Sequence, residues 1–228
     1  MKYKSGGITS KILLGALATL VIAMFVYNTT HQPEAHRDVW NMAMTKGDSS
    51  SENYFVEYTD MFCPYCAKFN RVLDDNFHRD YIDSGKVFFE LRLTDIISDH
   101  SENSERGGEA GYCAAKQAKF WDFYDAMLAK LYDDYHSRGI GVSKTSPKIP
   151  KLDDSYYLDV ATSSGLNSDQ MQSCFESGEA LSELRANTSR ASQTLQSGVP
   201  FFIVNTFTSS GFDGSYETVE MMLKAGGV

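Results

Sequence analysis

The chain has 228 residues, which is enough for one domain with a sizeable core. Hydrophobic residues make up 42% of it and aromatic residues 13%, so most of the chain is expected to fold. Its formal net charge is −9, and the part after residue 30 carries 18 basic and 30 acidic side chains. A body this acidic lacks the basic face that phosphate contacts need, so we expect no nucleic-acid partner.

The first 30 residues predict a membrane-directed segment. Lys2, Lys4 and Lys11 precede the largely apolar run ILLGALATLVIAMFVY at 12–27. Because this run does not end in small residues, an uncleaved signal anchor is favoured over a cleaved signal peptide. Lysines before the run predict a cytoplasmic N-terminus and a single pass through the cell membrane. The rest of the chain is then extracytoplasmic, where disulfides persist.

Residues 31–52 are polar and predict a tether, with one short strand in the VWNMAMT segment, so that the globular domain starts near Val39 or later. The run NYFVEY at 53–58 is aromatic and β-branched, which predicts a buried strand. After CPYC, apolar residues recur at threes and fours, which predicts a helix from Tyr65 to Ser84. KVFFELRL at 86–93 predicts the next strand. The order strand, CxxC, helix, strand predicts a parallel strand pair.

This order places Cys63 at the N-terminus of a helix. The free backbone N–H groups and the positive end of the helix dipole stabilise an anion there, and a thiolate is an anion. Cys63 is therefore predicted to be the attacking sulfur, while Cys66, one turn further in, would resolve a mixed disulfide. A CxxC that begins a helix after a strand is much more specific for redox chemistry than a CxxC alone.

Residues 95–196 are predicted to be mostly helical. The segment KFWDFYDAMLAKLYDDY has an apolar face of helical period, which we interpret as core. Further helices are predicted near 153–163, 168–177 and 179–196, and a loop at 138–151. VPFFIVN at 199–205 predicts a strand, SSGFDG a turn into a short strand, and YETVEMMLKAG a final helix.

The motifs FVEYTDMFCPYC, CAAKQAKFWDFYDAML and SGVPFFIVN, in this order, resemble the DsbA-like thiol–disulfide oxidoreductases of the thioredoxin superfamily. The resemblance covers roughly residues 53–227. It implies an α/β thioredoxin-like fold, preceded here by the N-terminal membrane segment. Its two parts would be 53–94 and 197–228, with 95–196 as an inserted helical subdomain.

The resemblance also implies roles for individual residues. Cys63 would be the nucleophile and Cys66 the buried resolving cysteine. Pro200 matches the family's cis-proline, and Val199 before it would pair with the substrate backbone. Pro64 and Tyr65, between the cysteines, are likewise expected at the substrate-binding surface.

Glu57 matches a buried acid below the active site of the family. A carboxyl group on an apolar strand is expected to have a raised pKa and to shuttle the proton of Cys66. The alternative is that Glu57 faces solvent on an alternating strand. Tyr65 departs from the strongly oxidising members, which have histidine there, and leaves the reduction potential open.

Cys113 and Cys174 lie in the helical part. An even cysteine count in an oxidising compartment predicts that they form a structural disulfide with each other. The alternative is two buried, reduced thiols.

The resemblance implies an enzyme that introduces disulfide bonds into reduced, unfolded exported proteins. A membrane quinone-linked thiol oxidase would reoxidise it, and no cofactor is needed. We expect a monomer, since no separate dimerisation domain is visible. We expect no metal, because the histidines are scattered and a closed zinc site needs four ligands. The alternatives are a disulfide reductase or isomerase, a metal-binding chaperone that uses the cysteine pair, and an adaptor with idle cysteines.

Overall fold

A computed structural model of the chain describes residues 38–73, 75–195 and 197–228. The predicted membrane segment at 1–30 and the first part of the predicted tether lie outside these residues. Among the described residues, no helix combines the length and apolar character that crossing a bilayer requires.

Five strands of the described residues form one sheet, in the spatial order β1-β3-β2-β4-β5. The central strand β2 pairs in parallel with β3, which confirms the predicted parallel pair, whereas all other neighbours are antiparallel. The CxxC motif follows β2, so the cysteines lie at the carboxyl end of the central strand. The strands are β1 (Thr45–Lys46), β2 (Tyr54–Asp60), β3 (Phe88–Thr94), β4 (Phe201–Val204) and β5 (Phe207–Ser210).

Seven longer helices of the described residues surround this sheet. Five of them, α2 to α6, lie between β3 and β4 in the chain, which confirms the inserted helical part. Helices α4 and α5 end at their predicted limits, and α6 stops five residues before its predicted end at 196. The helices are α1 (Pro64–Val72), α2 (Ser104–Lys116), α3 (Phe120–Asp134), α4 (Asp154–Ser163), α5 (Ser168–Ser177), α6 (Glu179–Ala191) and α7 (Tyr216–Ala225).

The first helix is shorter than predicted. It ends at Val72, and a π-helical turn follows at His78–Ile82. The wider turn is closed by the Asp83 N–H, which donates to the His78 carbonyl oxygen at 2.8 Å. This five-residue step buries Phe77 and Ile82 together, so the core selects a spacing that a regular helix does not provide.

The central strand has an aromatic core on the face of Phe55. The Phe55 ring centroid lies 5.6 to 6.1 Å from those of four other phenylalanines. Aromatic pairs at such distances add to the free energy gained from burial itself. This cluster fixes α1, and with it the cysteine pair, against the sheet. The four rings belong to Phe69, Phe77, Phe89 and Phe202.

Contacts on the opposite face of β2 show that the domain begins before residue 52, so the predicted tether is too long at its C-terminal end. The Trp40 N–H donates to Glu90 at 2.7 Å, and the Trp40 ring lies edge-on to Tyr58 at 5.4 Å. The Arg92 guanidinium lies 4.7 Å from the centroid of the same ring. The predicted short strand forms at Thr45–Lys46, directly after this anchor. The second short strand, β5, was predicted to follow the SSGFDG segment, but it ends within that segment, at Ser210.

Helix α2 packs closely on the segment that leads into the cysteines. A side-chain carbon added at Gly107 would lie 2.5 Å from the Phe62 ring, and one at Gly111 would overlap the Leu93 side chain. Only glycine therefore permits this approach. The apolar stripe predicted for α3 is buried, as expected for core; its members are Phe120, Tyr124, Met127, Leu128 and Leu131.

A disulfide between Cys113 of α2 and Cys174 of α5 joins the helical part internally, with the two Cα atoms 5.9 Å apart. The bond closes a loop with a sequence separation of 61 residues. In the chain-entropy description, a loop of this size stabilises the folded state by about 4 kcal/mol.

Replacing both cysteines, Cys113→Ala with Cys174→Ala, is expected to lower the free energy of unfolding by about 2–4 kcal/mol. The loss arises because the unfolded chain regains the freedom that the bond removes. Urea unfolding followed by circular dichroism measures it, with the Cys63–Cys66 pair in the same redox state in both proteins. In a strong reductant the difference should disappear. Equal midpoints without reductant would contradict the prediction.

Candidate active site

Cys63 is the N-cap residue of α1. Its sulfur accepts a hydrogen bond from the Cys66 N–H at 3.3 Å, and Pro64 occupies the first turn. Proline suits this position because its missing N–H would have had no partner inside the helix. Both cysteines are thiols here; Cys63 is 4% exposed and Cys66 fully buried. The sulfur open to a substrate is therefore that of Cys63.

The loop before β4 faces this sulfur. The Val199–Pro200 peptide bond is cis, and the Cys63 thiol donates to the Val199 carbonyl oxygen at 3.6 Å. The Gly211 N–H donates to the Pro200 carbonyl oxygen at 2.8 Å, which ties the loop to the end of β5. Two segments far apart in sequence are thus brought to one point.

Glu57 lies in the middle of the central strand, paired with Leu91 on one side and Phe202 on the other. It is 1% exposed, so the solvent-facing alternative is wrong. Its Oε1 atom has no hydrogen-bond partner. Burial raises the pKa of the Glu57 carboxyl well above its usual range, which favours the protonated acid at neutral pH.

The resolving thiol belongs to the same buried group. Burial raises the pKa of Cys66, and the nearby Cys63 and Glu57 raise it further. The Thr59 hydroxyl partly offsets the rise for both Cys66 and Glu57. The Cys66 sulfur is therefore held as a thiol when the pair is reduced.

Tyr124 connects the helical part to this group, a role that sequence reasoning missed. Its hydroxyl lies 3.3 Å from that of Thr59. Burial raises the pKa of Tyr124, and the nearby acidic groups Glu57 and Cys66 raise it further. The stripe of α3 predicted a buried Tyr124, but only the fold places its hydroxyl beneath the cysteines.

Asp60 is a second buried acid that sequence reasoning missed. Its carboxylate accepts from the Phe62 N–H at 2.9 Å, from the Ile97 N–H at 3.3 Å and, in a very short contact, from the Ser104 hydroxyl. The Asp60 carbonyl oxygen also accepts from the Cys63 N–H at 3.0 Å. Asp60 thus ties the segment before the cysteines to the start of α2. Its position three residues before Cys63 was the available signal.

An open cleft of about 450 Å³ begins at Cys63 and is lined by Pro64, Tyr65 and Val199. Tyr65 is 44% exposed. The structure therefore brings three of the four residues predicted to meet substrate, Pro64, Tyr65 and Val199, to one surface, while Pro200 is buried behind Val199.

No group of three or more histidine, cysteine, aspartate or glutamate side chains suited to a metal ion occurs in the part of the chain that the structure describes. Two of the five histidines, His31 and His36, lie outside that part. Cys63 and Cys66 supply two sulfurs, whereas a closed zinc site needs four ligands.

Sequence comparison matches residues 41–225 to the family described as Thioredoxin. Because the match covers most of the chain, the chain belongs to this family. Its fold is that of the DsbA-like thiol–disulfide oxidoreductases of the thioredoxin superfamily, as three solved structures illustrate.

BdbD from Bacillus subtilis is similar with a TM-score of 0.64 and 18% identity, over 80% of this chain and 91% of that one. Alpha-DsbA1 from Wolbachia pipientis has a TM-score of 0.62 and 18% identity, over 81% and 90%. The thiol-disulfide exchange protein alpha-DsbA2 from Wolbachia pipientis has a TM-score of 0.61 and 16% identity, over 88% and 95%. At these identities the likeness concerns the fold.

One curated protein is also similar, the Na(+)/H(+) antiporter NhaA 3 of Salinispora tropica. It is 34% identical over 74 residues, which is 32% of this chain and 11% of the antiporter. The match thus spans about a tenth of this relative.

Replacing Glu57 by glutamine tests its role as a proton donor. Dithiothreitol in excess reduces the Cys63–Cys66 disulfide, and Cys66 then leaves as a thiolate that needs a proton. Glutamine cannot supply one, so we expect the single-turnover rate at neutral pH to fall roughly tenfold to a hundredfold. Stopped-flow measurement across pH should show the gap closing above the pKa of Glu57.

Stability provides the control for Glu57→Gln. The pKa of Glu57 is higher in the folded than in the unfolded protein, so stability falls as pH rises above about 4.5. Glutamine does not ionise, so folding of the variant carries no such pH-dependent cost. The variant should be more stable than the wild type at pH 7, and the difference in stability should shrink toward pH 4. A variant both slower and less stable at pH 7 would indicate structural damage instead.

Asp60 predicts a second pH dependence. Burial, the largest effect, raises the pKa of Asp60 from 3.8 to about 6. The folded protein therefore keeps this proton between about pH 4 and 6 while the unfolded chain releases it, and stability falls as pH rises through that window. Relative to Asp60→Asn, the wild type should lose stability from pH 4 to 6 in urea unfolding. A constant difference across the window would contradict this assignment.

Proposed function

We propose that the protein is a thiol oxidase that introduces disulfide bonds into exported proteins by dithiol–disulfide exchange. One observation carries the proposal: the Cys63 sulfur, at a helix N-terminus, lies 3.6 Å from the Val199 carbonyl oxygen beside cis-Pro200. A substrate strand beside Val199 would present its own sulfur to that of Cys63. Family membership supports the same chemistry.

The reaction starts from the oxidised Cys63–Cys66 pair. A substrate thiolate attacks the Cys63 sulfur, the bond between the two cysteines breaks, and Cys66 leaves with the electron pair. Protonated Glu57 supplies a proton to the Cys66 sulfur, since burial favours the neutral forms of both groups. The product of this step is a mixed disulfide between the substrate and Cys63.

A second substrate thiolate then attacks the substrate sulfur of the mixed disulfide. Cys63 leaves as a thiolate that the helix N-terminus stabilises, and the substrate acquires its disulfide. Two electrons pass from substrate to enzyme, so a second protein has to remove them. The protons of the two substrate thiols go to water, from which Glu57 regains the proton that it gave to Cys66. We propose that a membrane quinone-linked thiol oxidase does so.

The location follows from the same reasoning. An anchor at residues 1–30 would hold the domain at the outer face of the cell membrane, close to that partner. The disulfide between Cys113 and Cys174 supports an oxidising compartment, because such bonds are rare where thiols are kept reduced. The proposed substrates are reduced, unfolded exported proteins, and the proposed enzyme is a monomer.

One observation favours a disulfide reductase or isomerase as the second candidate. Tyr65 stands between the cysteines, and its half-exposed ring is contacted by Lys68, whose Nζ lies 5.0 Å from the ring centroid. The phenol of Tyr65 lacks the positive charge that an imidazolium at the same position would place near the Cys63 thiolate. A less stable thiolate makes the pair a weaker oxidant.

The reduction potential of the Cys63–Cys66 pair in the full-length protein decides between the two. A thiol oxidase is expected near DsbA, at about −120 mV, whereas a reductase is expected near thioredoxin, at about −270 mV. Equilibration with glutathione measures the potential. A value at the thioredoxin end would overturn the oxidase proposal.

Trapping by single-cysteine variants is the control that assigns the two sulfurs. After each variant is treated with Ellman's reagent to activate its remaining cysteine, Cys66→Ala should form a stable mixed disulfide between Cys63 and a reduced single-thiol model protein, with release of thionitrobenzoate, since the resolving thiol is missing. Cys63→Ala should accumulate none, because Cys66 is buried. Equal accumulation by both variants would contradict the assigned roles.

A further inference from the structure

One wall of the cleft beside Cys63 is a loop with a charge opposite to that of the chain. Residues 138–151, the basic loop, contain Arg138, Lys144, Lys148 and Lys151 and no acidic residue, in a chain of net charge −9. Such a concentration of one sign beside a reactive sulfur changes the local potential that a substrate meets.

The basic loop has a defined conformation. The Gly141 N–H donates to the Pro147 carbonyl oxygen at 2.8 Å, which closes the loop on itself. The buried Asn103 side chain donates to the Pro150 carbonyl oxygen at 2.9 Å and accepts from the Leu152 N–H at 2.8 Å. These bonds fix the loop to the segment that forms the facing wall of the cleft.

The cleft combines an apolar surface with unpaired positive charge. Phe62, Ile97 and Ile149 contribute apolar surface close to Cys63. Lys144 and Lys148 line it from the basic loop; both are exposed, and neither has an ion-pair partner among the described residues.

Glu102, on the facing wall, is the one acidic residue among the described residues that line the cleft. His100 lies on the same wall. Two lysines against one glutamate leave the rim net positive. The volume of the cleft, about 450 Å³, falls in the range of sites that bind small ligands or a few side chains.

We propose that this cleft selects the substrates of the proposed thiol oxidase. It binds an extended segment with an apolar side chain next to the reacting cysteine and acidic residues flanking it. The apolar side chain would lie against Phe62 and Ile149, and the flanking carboxylates would lie near Lys144 and Lys148. The proposal rests on the proposed function, because it concerns the same sulfur.

The shape of the site favours a peptide over an anionic membrane surface. The two lysines line a concavity that ends at a thiol, and a flat lipid surface would not reach its apolar part. The net charge of the whole chain acts against the expected preference. Long-range attraction to a chain of −9 favours basic peptides, so a preference for acidic ones has to come from the local lysines.

The experiment uses oxidised full-length protein in a non-ionic detergent and three reduced dithiol peptides. The peptides share their cysteine spacing and apolar residue and differ only in acidic, uncharged or basic flanks. We expect kcat/KM at low salt to be about fivefold to tenfold higher for the acidic than for the basic peptide, as two exposed ion pairs allow. At about 0.5 M salt the ratio should approach one.

Charge reversal provides the matched variants. Lys144→Glu with Lys148→Glu should invert the ratio between the acidic and basic peptides. Lys151→Glu makes the same kind of change in the same loop but outside the lining of the cleft, and should change the ratio much less. Equal rates for the three peptides in the wild type, or an equal effect of Lys151→Glu, would overturn the inference.

Binding without chemistry separates this inference from the proposed function. The same peptides, with serine for both cysteines, are titrated by fluorescence anisotropy. Preference for the acidic peptide without turnover of any dithiol would support the cleft and reject the thiol oxidase. Turnover of the dithiol peptides with equal affinities and rates would support the thiol oxidase and reject the cleft as a source of selectivity. Vesicles of phosphatidylglycerol test the lipid alternative. If they bind only when both lysines are present, and the three peptides bind equally well, the basic loop binds lipid and the inference is overturned.

Discussion

A carboxyl group buried in the central strand is the constraint on which the site depends. Glu57 has strands on both sides and an oxygen without a hydrogen-bond partner, so a negative charge there is unfavourable. The same burial favours the neutral thiol at Cys66. Cys66 is therefore held neutral and buried, while Cys63 caps the helix and lines the cleft. This asymmetry gives the two sulfurs different roles.

The helical part contributes to the chemistry as well as to the size of the protein. Tyr124 reaches Thr59 beneath the cysteines, and Ser104, at the start of α2, donates to Asp60. Gly107 lets the same helix pack on Phe62, one residue before Cys63. A change in how α2 packs would therefore move the segment that positions the nucleophile, which links the internal stability of the helices to the site.

The cleft adds selectivity to this chemistry through charge placed on a fixed loop. The backbone of the basic loop is held by its own hydrogen bonds and by Asn103, so the backbone that carries its lysines needs little further ordering on binding. Exchange through a CxxC does not by itself discriminate among thiols. Discrimination then has to come from the surface around the sulfur, where Lys144 and Lys148 lie opposite Glu102.

The sequence by itself determined the parallel strand pair, the helix that begins at the cysteines and the buried stripe of α3, because local periodicity and turn residues specify these. The family resemblance added the expectation of cis-Pro200. The tertiary structure alone decided that Trp40 belongs to the domain and that α1 gives way to a π-helical turn. It also decided that Tyr124 and Lys144 lie near the cysteines. Those features depend on contacts between segments distant in the chain, and no local pattern records which segments meet.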